Sequence, residues 1–491
     1  MVLPKTPTAH QDDRAAGVLL AAACGDALGV PYEFRSRLDR DQSPQMIGGG
    51  LGPYAPGEYS HDTQMAVCIA QALVDTQPVA VQDDAATPWV AGAMLRQARD
   101  LWKSGRHAAG NGSLTRTGPV ALYGLHDAGE TAEAARLVSE LTHADPLAGD
   151  ACVIWCEAIR HAVLHANFDG VRAGVALLPT ERRAQWHTWL DEAESQDPHT
   201  FPDNGYVVTA LQAAWSAITR TPVPANNPAK GVFAADHLRL ALEAAVRAGH
   251  DTNTVAAIAG ALLGARWGVS AVPWHWQRAV HGWPETTARD LIGLGVRISH
   301  HHMPDRHVWP LVDRHPRNAN ALTPYRVAHP HDDGVILGNL PLADLDPADL
   351  DVDAVVSLCR VGTADFAHVP ARDHLRIWLI DRPGANAHGH YTLDQAARAV
   401  HGLRQEGKQV LLHCAAGRSR TPTAAARYSG LLGIDPTTAM TDVCQALAPN
   451  HPWVNFELER FVFDLAGAAQ PAVAKRAWNT STTLHSWSAQ E

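Results

Sequence analysis

The stretch Gln409-Val410-Leu411-Leu412-His413-Cys414-Ala415-Ala416-Gly417-Arg418-Ser419-Arg420-Thr421 constrains the fold of this chain more than any other. It opens with a short apolar run that reads as a buried strand. It runs into Thr423-Ala424-Ala425-Ala426-Arg427-Tyr428, which reads as a helix, so Cys414 falls on a strand-to-helix turn. Ala415, Ala416, Gly417, Arg418 and Ser419 then form a loop whose backbone N–H groups can converge on one point. Such a nest at a helix N-terminus binds a dianion and stabilises a thiolate. Arg420 adds a planar, permanently charged fork that matches phosphate oxygens two at a time. The chemistry implied is attack by the Cys414 thiolate on a phosphate monoester. The structural alternative is a buried thiol at a strand end, but strand, His-Cys pair, glycine, arginine and helix all fall in register.

His413-Cys414-(Ala-Ala)-Gly417-(Arg-Ser)-Arg420-Thr421 resembles the signature loop of the cysteine-based, dual-specificity protein phosphatases. The resemblance extends over about 331 to 468, including Val335-Ile336-Leu337-Gly338-Asn339-Leu340 and Val355-Val356-Ser357-Leu358. It implies a phospho-cysteine intermediate, no cofactor, a role for His413 beside the nucleophile, and a phosphorylated protein or small phosphate ester as substrate. It also implies a general acid on a preceding loop, where Ile380-Asp381-Arg382-Pro383 stands, so Asp381 would protonate the leaving oxygen. Thr421 would assist release of the thiolate. A loop-capping role is the competing reading of Asp381, and Asp373 is the nearest alternative acid in sequence.

A chain of 491 residues is too long for one compact core, so two domains with connections are expected. The net charge of -11 argues against a nucleic-acid surface, which needs clustered Lys and Arg. Seven cysteines without paired spacing favour a reducing interior. Ala15 to Cys24 resembles a short signal segment, but Asp12 and Asp13 precede it and the run is brief. No stretch reaches the roughly 18 apolar residues of a membrane helix, and a cytoplasmic protein without membrane partners is expected.

Residues 1 to 13 read as a polar leader without structure. From Arg14 to about Arg297 Ala-rich segments carry apolar residues at spacings of three and four, which predicts an all-α domain with almost no strands. Four segments in it do not look like packing: Gly25-Asp26-Ala27-Leu28-Gly29-Val30-Pro31-Tyr32-Glu33, Ser60-His61-Asp62-Thr63, Gly110-Asn111-Gly112-Ser113, and Gly249-His250-Asp251-Thr252-Asn253-Thr254. The second and fourth open helices, for which capping is the structural reading. Capping needs one polar residue, however, and each segment offers several in a row. Two such clusters beside a glutamate suit a hard divalent cation.

Together these segments resemble the ADP-ribosylglycohydrolases over roughly 14 to 297, with Asn204-Gly205-Tyr206-Val207-Val208 and Leu141-Thr142-His143 as further points of likeness. That family removes ADP-ribose from modified side chains with a pair of magnesium ions. The resemblance implies that Glu33 lies on a flap beside the scissile bond. Gly110, Asn111, Gly112 and Ser113, with Asn204, Gly205 and Tyr206, would line the ADP-ribose pocket. Ser60, His61, Asp62, Asp251, Asn253 and Thr254 would occupy the metal positions. The family pattern has aspartate where His61 and Asn253 stand, so two of four ligating carboxylates are replaced. Two remaining negative charges balance one divalent ion, and an imidazole shifts preference from magnesium towards manganese, iron or zinc. His61 is then a ligand or a base near the ion; alternatively it hydrogen-bonds Asp251 in place of an ion.

The expected architecture is therefore multidomain. An all-α domain (14–297) leads through a His/Pro-rich linker (298–330) to an α/β domain (331–468) with a mainly parallel sheet and helices on both faces, and a tail follows (469–491). The functional expectation is a bifunctional hydrolase acting on ADP-ribosylated or phosphorylated protein, or on a small ADP-ribosyl substrate. The alternative is an active phosphatase carrying an altered ADP-ribose-binding module.

Overall fold

The computed structural model describes residues 7–75, 96–105, 108–301, 310–315 and 322–472. Parts of four expected segments lie outside them: residues 1–6 of the leader, 76–95 and 106–107 of the helical domain, 302–309 and 316–321 of the linker, and 473–491 of the tail. The chain divides into two compact units, Met1–Ala225 with Ala234–Leu311, and Asn226–Phe233 with Val312–Glu491.

The first unit is helical, and its centre is the helix Ala9–Gly29. It begins five residues earlier than the polar leader suggested, because Thr8 and Gln11 form a reciprocal capping box. All but a few of its residues are buried, and the same is true of Thr252–Trp267, which crosses it. The crossing is close because glycines face backbone. A Cβ on Gly25 would lie 2.2 Å from the Ala256 carbonyl, and one on Gly29 would lie 2.4 Å from Asn253 Cα. That contact sets the end of one helix, with Asp26, against the start of the other, with Asn253. A two-residue hairpin, β1 (His281–Gly282) against β2 (Thr286–Thr287), is the strand pairing that the helical pattern did not predict.

By length and composition alone the segment Ala9–Tyr32 is apolar enough to cross a membrane, contrary to the expectation that no stretch would be, but 94% of its most apolar window is buried inside the protein. Continuous apolarity here reflects a helix surrounded on all sides by other helices.

The second unit holds a mixed five-stranded sheet in the order β3 (Arg326–His329), β4 (Asp332–Asn339), β7 (Val410–Cys414), β5 (Ala354–Ser357), β6 (His374–Arg376). The pairs β4–β7, β7–β5 and β5–β6 are parallel, and β3 is an antiparallel edge. The assigned linker is thus shorter than its composition implied. His315 N–H donates to Asp365 at 3.0 Å, and Tyr325 and β3 already belong to the sheet's surroundings. The edge strand β6 is short and stops at Arg376, leaving Ile377 to Ile380 as an irregular lead into Asp381. The helices Gly389–Gln405 and Arg420–Leu431 pack on the sheet. On the face presented by Ile336, Val355 and Leu411 the cover is Leu340, Leu342, Leu350, Val361 and Phe366 from short segments, where long helices were expected.

Candidate functional site

In the helical unit, the two polar segments meet at the crossing just described. Asp26, fully buried in the helix Ala9–Gly29, accepts from Ser60 N–H at 3.1 Å, Thr63 N–H at 3.0 Å and Thr63 Oγ1 at 2.7 Å. It therefore serves the N-terminus of the helix His61–Asp75 from outside, where its negative charge also meets the positive end of that helix. Asp26 belongs to the Gly25–Glu33 segment singled out in the sequence, which assigned it no role in the site.

Asp62 is 1% exposed, and its Oδ2 accepts from Thr254 Oγ1 at 2.8 Å and from Asn253 Nδ2 at 3.3 Å. The same Asn253 amide donates to Ser60 Oγ at 3.1 Å. Asp251 stands at the N-cap of Thr252–Trp267 without capping it. Its Oδ2 instead accepts from Asn111 Nδ2 at 2.7 Å, and its N–H donates to Asn204 Oδ1 at 2.9 Å. Asn111, likewise an N-cap without a capping bond, also donates to the Asn204 carbonyl at 2.8 Å. An isolated bridge joins Gly110 to Tyr206, and Asn111 N–H donates to the Gly205 carbonyl at 3.1 Å. The two loops expected to hold ADP-ribose are therefore stitched together and tied to Asp251. Ser113 is fully buried, and its hydroxyl accepts from Cys152 at 3.6 Å, facing the core and not the loops.

Glu33 follows the short turn Val30–Tyr32 and is nearly buried. Burial, with the charges of Asp251 and Asp26, raises its carboxyl to about 7. The next residue, Phe34, has a left-handed φ of 51° and donates its N–H to the His250 carbonyl at 2.7 Å. Burial and then the charges of Asp26 and Asp251 raise Asp62 well above the carboxylate range. His143 lies against Gly110 and Gly112: burial and Arg116 lower it to about 4.

Whether these residues suit a cation is decided by their oxygens. Asp62 Oδ1, Asp251 Oδ1 and Asn253 Oδ1 are buried without a hydrogen-bond partner. Each is costly to leave unpaired, and a hard cation is a partner that suits such oxygens. Among the described residues no three His, Cys, Asp or Glu side chains form a metal-binding group. The donor set is two carboxylates and an amide oxygen, of the hard-oxygen kind that suits a divalent ion. His61 departs from the alternative expected for it. Its side chain is 60% exposed with Nε2 3.7 Å from Asp62 Oδ1, and no bond joins it to Asp251 among the described residues.

In the second unit, Cys414 ends β7 opposite Asn339, where a parallel sheet delivers its ligands. The loop after it is held by its carbonyls. Ala415 O accepts from Leu340 N–H (3.2 Å), Ala416 O from Asn450 Nδ2 (3.0 Å), Gly417 O from Tyr325 OH (2.8 Å) and Arg418 O from Trp453 N–H (2.9 Å). Four successive carbonyls bonded outward leave the N–H groups facing in, and Gly417 N–H lies 3.2 Å from Cys414 Sγ. Gly417 has a φ of +70°, and a Cβ there would strike the Tyr325 hydroxyl at 1.8 Å, so only glycine fits. Tyr325 and Asn450 were not foreseen, since nothing local in sequence points across 92 and 34 residues.

Arg420 is buried and donates through Nη1 to the Leu358 and Leu379 carbonyls at 2.9 and 3.3 Å. Thr421 Oγ1 reaches the Gly338 carbonyl at 3.5 Å, whereas Arg418 is exposed. His413 lies beside the nucleophile: Nδ1 is 3.4 Å from the Cys414 carbonyl, Nε2 is 2.7 Å from Ser357 Oγ, and the ring packs 4.9 Å from Phe366. Asp381 is set in place by Asn386, whose amide accepts from Ile380 N–H and donates to Ile380 O, both at 2.8 Å. Asp381 Oδ1 accepts from Ser419 Oγ at 2.8 Å, and Oδ2 lies 3.9 Å from Arg420 Nε. Asp373 is instead ion-paired to Lys408, which removes it as a competing acid.

A family model described as ADP-ribosylglycohydrolase matches residues 7–302. The chain belongs to the ADP-ribosylglycohydrolase family. ADP-ribosylarginine hydrolase Tri1 of Pseudomonas putida (strain GB-1) is 30% identical over 295 residues, 55% of this chain and 74% of that protein. ADP-ribosyl-[dinitrogen reductase] glycohydrolase of Rhodospirillum rubrum is 26% identical across 55% of this chain and 90% of its own length. ADP-ribosylhydrolase ARH3 of Homo sapiens is 23% identical across 56% and 90%. These likenesses place the polar cluster, the stitched loops and Glu33 inside the ADP-ribosylglycohydrolase region of the chain.

Proposed function

We propose that this chain is a bifunctional hydrolase, in which the helical unit cleaves ADP-ribose from a modified protein side chain or a related ADP-ribose derivative and the second unit is a cysteine-dependent phosphatase. The observation that carries the first half is the trio of unpartnered buried oxygens on Asp62, Asp251 and Asn253, which lie in a chain of this family. Those three residues would hold a divalent cation. A cation bound there would lower the pKa of a coordinated water and orient the ribose oxygens. The protein's own residues do the rest. Asn111 orients Asp251, the stitched loops position the nucleotide, and the Glu33 carboxyl exchanges a proton at the scissile bond.

Support for the second half is the outward-braced carbonyl loop with Cys414 beneath it. The thiolate attacks phosphorus, an S–P bond forms and the P–O bond breaks. Asp381 gives its proton to the leaving oxygen, and Arg420 compensates the charge on the equatorial oxygens. Water then attacks the phospho-cysteine, releasing phosphate and the thiolate, while Asp381 takes the proton back.

A second reading of the helical unit, as an ADP-ribose-binding module without turnover, is favoured by the Asn253 amide, which satisfies Ser60 and Asp62 as an ion otherwise would. The test uses the purified full chain. Release of ADP-ribose from ADP-ribosylated arginine, with magnesium, manganese and none, is measured beside phosphate release from aryl phosphates. Binding of ADP-ribose with no release under any metal would leave the module reading. Phosphate release unaffected by Cys414→Ser would sink the phosphatase.

A further inference from the structure

Ser419 is the N-cap of the helix Arg420–Leu431, yet its side chain makes no capping bond. Its hydroxyl donates to Asp381 Oδ1 at 2.8 Å instead. What turns it there is Asn455. The Asn455 backbone N–H donates to Ser419 Oγ at 3.1 Å, which occupies the acceptor side of the hydroxyl and directs its proton to the carboxylate. The Asn455 side chain also caps its own helix, Phe456–Leu465, with Oδ1 accepting from Glu457 N–H at 2.9 Å. That bond fixes which way the amide is turned, so Nδ2 must face the other direction, where it meets Asp381 Oδ1 at 3.3 Å. Asn455 is 2% exposed, and water does not compete for these bonds.

We infer that Asn455 is the positioning residue for the acid of the C-terminal site: it supplies one donor to Asp381 Oδ1, aims the second, and so leaves Oδ2 as the oxygen that carries and delivers the proton. This rests on the phosphatase reading above. Two donors on Oδ1 make that oxygen the poorer seat for a proton, because an acceptor already holding two N–H or O–H groups has no lone pair to spare. Oδ2 is also the oxygen on the Arg420 side, 3.9 Å from its Nε. The helix cap and the acid are thereby coupled through one amide.

Asn455→Asp separates the two jobs, since aspartate caps a helix as well as asparagine but cannot donate and repels Asp381. The full chain is assayed on a series of aryl phosphates from p-nitrophenyl to phenyl, with Asp381→Asn and Cys414→Ser alongside. The expected result is a loss of about tenfold or more in kcat for phenyl phosphate and less than about threefold for p-nitrophenyl phosphate, because only a poor leaving group needs the proton. Asp381→Asn should give the same pattern in stronger form. Equal losses across the series, or none, would overturn the role given to Asn455 while leaving the nucleophile intact. Absence of any Cys414-dependent hydrolysis in the unaltered chain would instead remove the phosphatase reading, and the role of Asn455 with it.

Discussion

Asn111 and Asp251 each occupy the N-cap of a helix, neither caps it, and the two are hydrogen-bonded to one another at 2.7 Å. Elsewhere polar N-caps do their ordinary work, as Asp127, Asp145 and Asp435 show by accepting from the first turn of their helices. Ser419 behaves like the first pair. Side chains with the strongest local preference for capping are thus drawn off to a site, and the helices start without them. Diversion of this kind costs about 1 kcal/mol per cap, which something else in the fold has to offset.

Removing the Asn111 amide tests what the pair does. Asn111→Ala leaves Asp251 with one hydrogen bond fewer and frees the loop stitched at Asn204. Bonds to a charged group contribute roughly 1.5–3 kcal/mol, so ADP-ribose affinity should fall by about ten- to a hundredfold. Calorimetric titration reads the loss directly. An unchanged affinity would mean that the Gly110–Ser113 turn does not touch the nucleotide.

The cation site makes a prediction about number. With Asn253 Nδ2 set between Ser60 and Asp62, the full chain should bind one equivalent of manganese or magnesium and no second. Asn253→Asp removes that donor and adds a charge, so the metal-free variant should melt several degrees lower. Excess metal should restore it and raise the stoichiometry to two. Two equivalents of magnesium in the unaltered chain would contradict the charge balance.

At the cysteine loop, Tyr325→Phe and Asn450→Ala each release one braced carbonyl. Each is expected to lower kcat on p-nitrophenyl phosphate by about tenfold, from a donor no longer aimed at the phosphoryl oxygens. Vanadate inhibition should weaken in parallel. Loss of turnover with unaltered vanadate affinity would place these two residues outside the cradle.

How much of this was readable in advance follows the range of the interactions. The strand-loop-helix at Cys414 and the helix-opening clusters at Asp62 and Asp251 are local patterns, and their residue types carried the reading. Tyr325, Asn450, Asn455 and Asp26 act across tens of residues through single hydrogen bonds, and no periodicity announces such a bond. His413 is a partly legible case: its place next to Cys414 follows from the sequence, whereas its contacts with Ser357 and Phe366 come from elements distant in sequence. His61 was expected at the cation, yet it opens a helix beside Asp62 with its ring in solvent.

Acid sensitivity of the second unit follows from His329. Its ring is 3% exposed, with Nε2 3.1 Å from the Ala425 carbonyl and Nδ1 accepting from His331 N–H, so both nitrogens are engaged as in a neutral ring. Burial first, and then His331, push it down to about 4 from the ordinary 6.5. The unfolded chain therefore takes up this proton at a higher pH than the folded one. Stability from His329 is complete above about 6.5 and is lost progressively as pH falls to about 4, to a total of about 3 kcal/mol. Hydrogen-exchange protection over β3 and the helix Arg420–Leu431 should decline across that window. In His329→Gln, which retains a donor for Ala425 but cannot be protonated there, the decline should flatten. A variant that loses protection over the same pH range as the unaltered chain would assign the acid sensitivity to another group.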